Sequence, residues 1–543
     1  MTINSLPSQS TTDSASSAER PTLQALLEPH AVYGDAFAEK YGAISFLATR
    51  IFGELPSVFH TNAIYPTTIK CQIVSVAFTT DVKKLSKNLQ RLITIVTSLV
   101  AQCAYCSAVA CGLGDVFKGF VAVTEPLQLA PGDISATDRI ALRLCVAATK
   151  VPARVSPKLR RENFLAFGGE VGLQQIANIL ATSGFSNTFN SLLTAELDQH
   201  LSKSAEIAFK NTKYSFGAHK CNFKFKTTFP KASVSSGSSS NVSTFSWIME
   251  LIQVIRHARN LQVENQAILN ELPIPTTHDS LNAWLLKKFH GGFAPRYLTK
   301  IINVNAKRAF CVLLSQTLFS ETETKSFDNK YVAQLPFADR AVIAFVYFSA
   351  TKNNLLTAHF AFLASSLGIP AVTLTAALHG AKIFDHKRPE TATTAMQVMI
   401  PLTYYSARRY HKRVWRLAPR LVPSCDENPA TVLAFCTLVS VFTMLQRYSA
   451  VVGNDGDGFE NGVLEEFVAS SYGRECGLVE GTATEFTSSA RFSASEDEFE
   501  IDWDDVDVST IGPAAASLRM GVGEIVGRGV GGGGDVWGGR VKY

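Results

Sequence analysis

A chain of 543 residues with 46% apolar and 18% charged residues has ample material for large buried cores, which excludes an extended or wholly disordered polymer. The net charge of +5 conceals a split, because Asp455–Asp507 carries sixteen acids against Arg474 and Arg491, leaving +19 on the rest. Ten cysteines are too sparse and irregular for a disulfide-stapled secreted scaffold, and most sit in apolar runs, which points to a reducing compartment.

In chain order, Met1–Arg20 is rich in Ser and Thr, lacks an apolar core, and carries Asp13 and Glu19, so neither a secretory nor a transit peptide is expected and a cytoplasmic location is. Residues 1–22 are expected to be disordered. Residues 23–215 and 246–452 then form two blocks separated by a linker at 216–245, whose Ser-rich part is Lys231–Ser243. Residues 453–543, acidic and then Gly-rich, read as a disordered tail. The longest apolar stretches, such as Ala430–Leu445 and Arg340–Ala350, span roughly 11–16 residues against the ~20 that a bilayer requires, so no membrane partner is expected.

Inside both blocks apolar residues come in runs and at spacings of three and four, cut by turns such as Leu367-Gly368-Ile369-Pro370, which predicts an all-α fold. Asn222–Phe229 alone alternates as a strand would. The blocks also share an order of cues: long apolar helices at Leu92–Gly112 and Ala341–Gly368, then closing apolar helices at Gln174–Leu193 and Thr431–Arg447. An internal duplication is the reading that follows.

Cys103-Ala104-Tyr105-Cys106 carries the chemistry. Thiols three apart share a helix face, can close a disulfide, and, at a helix N-terminus, gain thiolate character from the macrodipole. No second CxxC or His pair stands at zinc spacing, so no metal is expected. Cys145, Cys311 and Cys436 read as small core residues. The cation-aromatic run Tyr404–Arg416 reads as an amphipathic helix with an exposed basic face, and nucleic acid is not an expected partner.

Ala101-Gln102-Cys103-Ala104-Tyr105-Cys106-Ser107-Ala108-Val109-Ala110 resembles the CxYC helix of the AhpD-like superfamily, which includes alkylhydroperoxidase D and the carboxymuconolactone decarboxylases. Asp138–Leu142, Val155-Ser156-Pro157 and Gly172–Leu193 resemble the helices that complete that unit. The resemblance covers roughly residues 50–200 and, more faintly, 290–450. It implies two fused AhpD-like helical units, homo-oligomers and cofactor-free chemistry. It further implies a thiol-dependent peroxidase or thiol–disulfide oxidoreductase in which Cys106 attacks a small peroxide or disulfide, Cys103 resolves it, and a thiol protein or small thiol is the reductant.

The family's Glu and His relay positions are occupied here by Arg91 and Ala110, and no His lies between His60 and His200, so slow turnover is expected. Aligning the second block on Lys352–His359 puts Lys352 and Leu355 at the Cys positions and His359 at the relay position, making His359 a candidate catalytic residue. The competing reading is a non-catalytic descendant serving as a scaffold or interaction module.

Overall fold

The computed structural model describes residues 21–52, 54–77, 84–116, 135–198, 244–289, 296–320, 324–453 and 463–478. Of the segment expected to be disordered at 1–22, residues 1–20 lie outside the described residues, as do most of the linker, the strand at Asn222–Phe229 and the tail beyond 478, whereas Thr22 caps the first helix. The described residues are all-α, with one isolated bridge between Lys325 and Val332.

The first half contains α1 (Leu23–Leu27), α2 (Gly34–Phe52), α3 (Ser57–Asn62), α4 (Pro66–Ala77), α5 (Lys87–Val100), α6 (Ala104–Val116), α7 (Ala136–Thr149), α8 (Pro157–Ala166) and α9 (Glu170–Leu192). The second contains α10 (Thr244–Glu271), α11 (His278–Lys288), α12 (Arg296–Thr299), α13 (Val304–Gln316), α14 (Phe337–Ala350), α15 (Asn354–Ser366), α16 (Ala371–Ile383), α17 (Ala395–Ala407), α18 (His411–Leu417), α19 (Leu421–Ser424) and α20 (Pro429–Val452). Two short helices follow, α21 (Val463–Ala469) and α22 (Ser471–Glu475).

Local chemistry sets many of these starts. Ser86, Ser135 and Ser156 each accept a backbone N–H of the first turn, and Thr394 closes a capping box with Gln397. Asn428 caps α20, with Pro429 at its first position, where a missing N–H costs nothing.

Helix packing repeats between the halves. α5 packs on α6, α7 and α9, and α7 on α8; α14 packs on α15, α17 and α20, and α17 on α18. The helical order is thus repeated between the halves, but they do not bury separate cores. α9 and α20 form the most extensive helix pair, and a single apolar cluster runs from Leu23 to Cys476. Thr188 bonds Thr443 at 2.8 Å, and Gly184 lies against Arg447, so the two helices run antiparallel.

α20 is 24 residues long, and its most apolar 18-residue window has a mean hydropathy of 1.6, enough by length and composition for a bilayer span and longer than the sequence reading allowed. Within the protein, 94% of that window is buried, which explains why it is apolar on every side.

Two differences from the sequence reading bear on the site. The long apolar helices expected over Leu92–Gly112 and Ala341–Gly368 are each broken in two, at Ala101–Cys103 and Thr351–Asn353. The breaks carry left-handed Gln102 (φ 54°) and Lys352 (φ 56°), residues that do not announce a helix end as glycine does. The helical body also continues past the boundary expected at 452. Leu464 and Val468 of α21 pack with Ala358 of α15, and the Tyr472 hydroxyl donates to the Ile369 carbonyl at 2.6 Å.

Candidate functional site

Cys103 stands in the corner between α5 and α6. Its N–H donates to Ser98 O (3.0 Å) and that of Gln102 to Leu99 O (2.9 Å), a pattern that satisfies the last carbonyls of α5. Its carbonyl accepts the Ser107 N–H (2.9 Å), so the residue that ends one helix caps the next. The Sγ of Cys103 accepts the Cys106 N–H at 3.4 Å, the place a serine or aspartate oxygen takes in an ordinary cap.

The second half repeats the corner. Asn353 N–H donates to Phe348 O (3.1 Å), Lys352 N–H to Ser349 O (3.2 Å), and Asn353 Oδ1 accepts the Leu356 N–H (3.1 Å). Matched through these turns, Asn353 corresponds to Cys103 and Leu356 to Cys106. This corrects the sequence alignment by one residue. Phe360 now faces Ala110 in register, and His359 falls at the place of Val109, off the expected relay position.

His359 is also apart from the sulfurs. It is buried on α15, which packs on α14, α16, α21 and α22, whereas α6 packs on α2, α5 and α9. Burial pulls its pKa down to about 3, so it is neutral at pH 7 and is a core residue. Its folded pKa lies below the unfolded value near 6.5. The unfolded chain therefore binds the extra proton, and stability falls as pH drops from about 6.5 to about 3. His359→Leu is expected to flatten this acid limb, most visibly between about pH 6.5 and 5, above the carboxylate range; urea midpoints across that interval measure it.

Both cysteines are free and buried, Cys103 at 1% and Cys106 at 8% exposure. Burial alone would raise the Cys103 thiol. Hydrogen bonds from the Cys106 side chain and backbone and from Ser191, together with the nearby Arg447 charge, outweigh burial and bring its pKa below the ordinary thiol value. Cys106 moves the other way: burial, then its bond to Cys103 and that sulfur's charge, push it well up, against the pull of Asn190 and Arg447. The Asn190 amide donates to Cys106 Sγ at 3.3 Å. Tyr105 points its hydroxyl to Asp198 Oδ2 (3.4 Å), whose other oxygen accepts the Ser57 N–H (3.2 Å), tying the CxxC segment to α3.

Two arginines complete the surroundings, and residue spacing alone did not single them out. Arg447 of α20 is 1% exposed and has its pKa lowered to about 10 by burial, so it stays charged at neutral pH. A Cβ on Gly184 would stand 2.8 Å from Arg447 Cδ, so the glycine of α9 makes room for it. Arg409, left-handed at φ 58°, donates to Val100 O (3.0 Å) and to Thr149 O, neutralising the carbonyl ends of α5 and α7. Burial and then Arg447 lower its pKa to about 9. The run Tyr404–Arg416 is thus divided: Arg409 turns inward, while Arg413 stacks over the rings of Tyr405 and Tyr410 at 5.4 and 4.7 Å.

A small cavity of about 30 Å³ lies between the halves, with Arg409, Arg447, Tyr347 and Ser191 in its wall. Ser191 thus touches both the cavity and the Cys103 sulfur.

These residues define an all-α protein with a repeated helical order and a buried cysteine pair at a helix start. No protein-family profile matches the chain, and no curated protein does. Two crystal structures of the debrominase Bmp8 align with it, a cysteine-to-alanine variant in complex with 2,3,4-tribromopyrrole and the apo protein. Their TM-scores are 0.27 and 0.26 at 17% and 19% identity, over 32% of this chain and 95% of theirs, too low to define a family.

Proposed function

We propose that Cys103 and Cys106 form a redox pair that reduces a small peroxide, with Cys103 as the attacking thiolate. The observation that carries this is the Cys103 sulfur itself, seated as the cap of α6 and accepting the Cys106 N–H, which favours its anionic form. The order of attack is the reverse of that implied by the AhpD-like resemblance.

In the first step Cys103 Sγ attacks the peroxide oxygen and the O–O bond breaks, giving a sulfenic acid; the departing alkoxide or hydroxide takes a proton and leaves as alcohol or water. Cys106 then attacks the sulfenic sulfur, its S–H proton leaves with the hydroxyl as water, and the disulfide forms. Two external thiols return the pair to the dithiol and become a disulfide themselves. Burial of both sulfurs limits the oxidant to a peroxide of few atoms, and Ser191, which lines the cavity, is bonded to the Cys103 sulfur.

Treating the full chain with one equivalent of hydrogen peroxide at pH 7 is expected to give one disulfide linking Cys103 and Cys106, read by mass and peptide mapping. A second reading, a non-catalytic scaffold with two packed thiols, is favoured by the same burial and predicts both sulfurs unchanged under that treatment.

A further inference from the structure

We infer that the cavity between the halves is a binding site for a compact monoanion, a halide or a small carboxylate, held by Arg447. Neither Nε nor Nη1 of Arg447 has a hydrogen-bond partner among the described residues, although the side chain is 1% exposed. A buried guanidinium left without acceptors is strongly unfavourable, and a counter-ion is the usual remedy. The cavity wall supplies no carboxylate: among the described residues that line it there is neither Asp nor Glu.

A second cation makes the deficit larger. Arg409 also lines the cavity, half-buried, and spends its bonds on Val100 O and Thr149 O, leaving Arg447 with a like charge as its neighbour. The remaining polar wall offers an amide donor, Gln446, next to Arg447 in the chain. The Thr443 hydroxyl is already spent, donating to the Val439 carbonyl and bonded to Tyr347 and Thr188 at 2.8 Å each. The volume of about 30 Å³ admits an ion the size of a water or two and excludes a sugar acid or nucleotide phosphate.

Tyr347, Cys106, Cys103 and Cys145 all lie near Arg447; of these only Cys103 has its pKa lowered, and its charge when ionised would compete with a bound ion for Arg447. The site does not depend on turnover at the thiols.

The test uses the full chain in gluconate buffer at fixed ionic strength. Added chloride is expected to show a saturable broadening of its chlorine NMR line, and thermal midpoints to rise with chloride or formate but not with gluconate. Whichever of chloride and formate displaces the other at lower concentration identifies the ligand as halide or carboxylate. Arg447→Met is expected to weaken binding roughly tenfold or more, the effect of a lost charge-assisted hydrogen bond. Should that variant not fold, Thr188→Val, on the cavity wall, is expected to weaken it in the same direction. The double variant Cys103→Ser/Cys106→Ser is expected to bind at least as tightly as the natural chain, so a failed redox reading leaves the site standing. A wild-type chain without saturable broadening, or Arg447→Met binding as well as wild type, overturns the proposal.

Discussion

Cys103→Ser is expected to slow peroxide consumption roughly a hundredfold or more, because burial, the largest cause of the raised Cys106 pKa and the one that survives the substitution, keeps that remaining thiol protonated. Cys106→Ser is expected to leave the first step and remove the second: one peroxide is consumed per chain, and a sulfenic acid accumulates at Cys103. Stopped-flow peroxide loss, with dimedone added in a denaturing quench so that it reaches the buried sulfur, followed by peptide mapping, separates the two outcomes.

The pH dependence follows from the opposed shifts of the two sulfurs. The Cys103 pKa lies below the ordinary thiol value, so its alkylation rate should rise with pH and level off earlier than that of a free thiol. Cys106 should stay unreactive through neutral pH. Dimedone adducts on Cys106 in Cys103→Ser, with none on Cys103 in Cys106→Ser, would restore the order of attack implied by the AhpD-like resemblance and remove the one drawn from the helix cap.

The helical class, the closing helices α9 and α20, and the CxxC pair itself were legible in the sequence, because apolar spacing and CxxC are local signals; the place of the pair at a helix start was not, since the spacing puts it inside one helix over Leu92–Gly112. The corners at Gln102 and Lys352 were not. Both are left-handed positions filled by residues with long side chains, fixed by backbone hydrogen bonds rather than by glycine, and missing them shifted the match of His359 by one residue.

The arginines were hidden for different reasons. Arg409 sits in a run of cations and aromatics that looks like a solvated face, and only the packing of α17 against the first half turns it inward. Arg447 did carry a signal, a lone cation near the end of a long apolar helix, where a surface position is not available. The depth of α20 likewise depends on a partner helix more than two hundred residues away, which no local window contains.

Phe442→Ala is expected to cost about 3–5 kcal/mol, the range for truncating a fully buried phenylalanine that cannot be repacked. Its ring is inaccessible to solvent and meets those of Tyr347, Phe348 and Phe360 at centroid distances of 5.9, 5.5 and 5.7 Å, joining α20 to α14 and α15. The test lies in where the loss is felt. Because α20 is also packed along α9 and the apolar cluster is continuous, a cavity made on the α14 side should lower the stability of the first half as well. Urea unfolding followed by circular dichroism should remain one transition with a lower midpoint, and hydrogen exchange in α5 and α9 should quicken together with that in α14 and α20. A split curve, in which α5 and α9 keep their original protection while α14 and α15 melt early, would mean that the repeated halves fold as independent units and that the α9–α20 pair is a docking surface rather than a shared core.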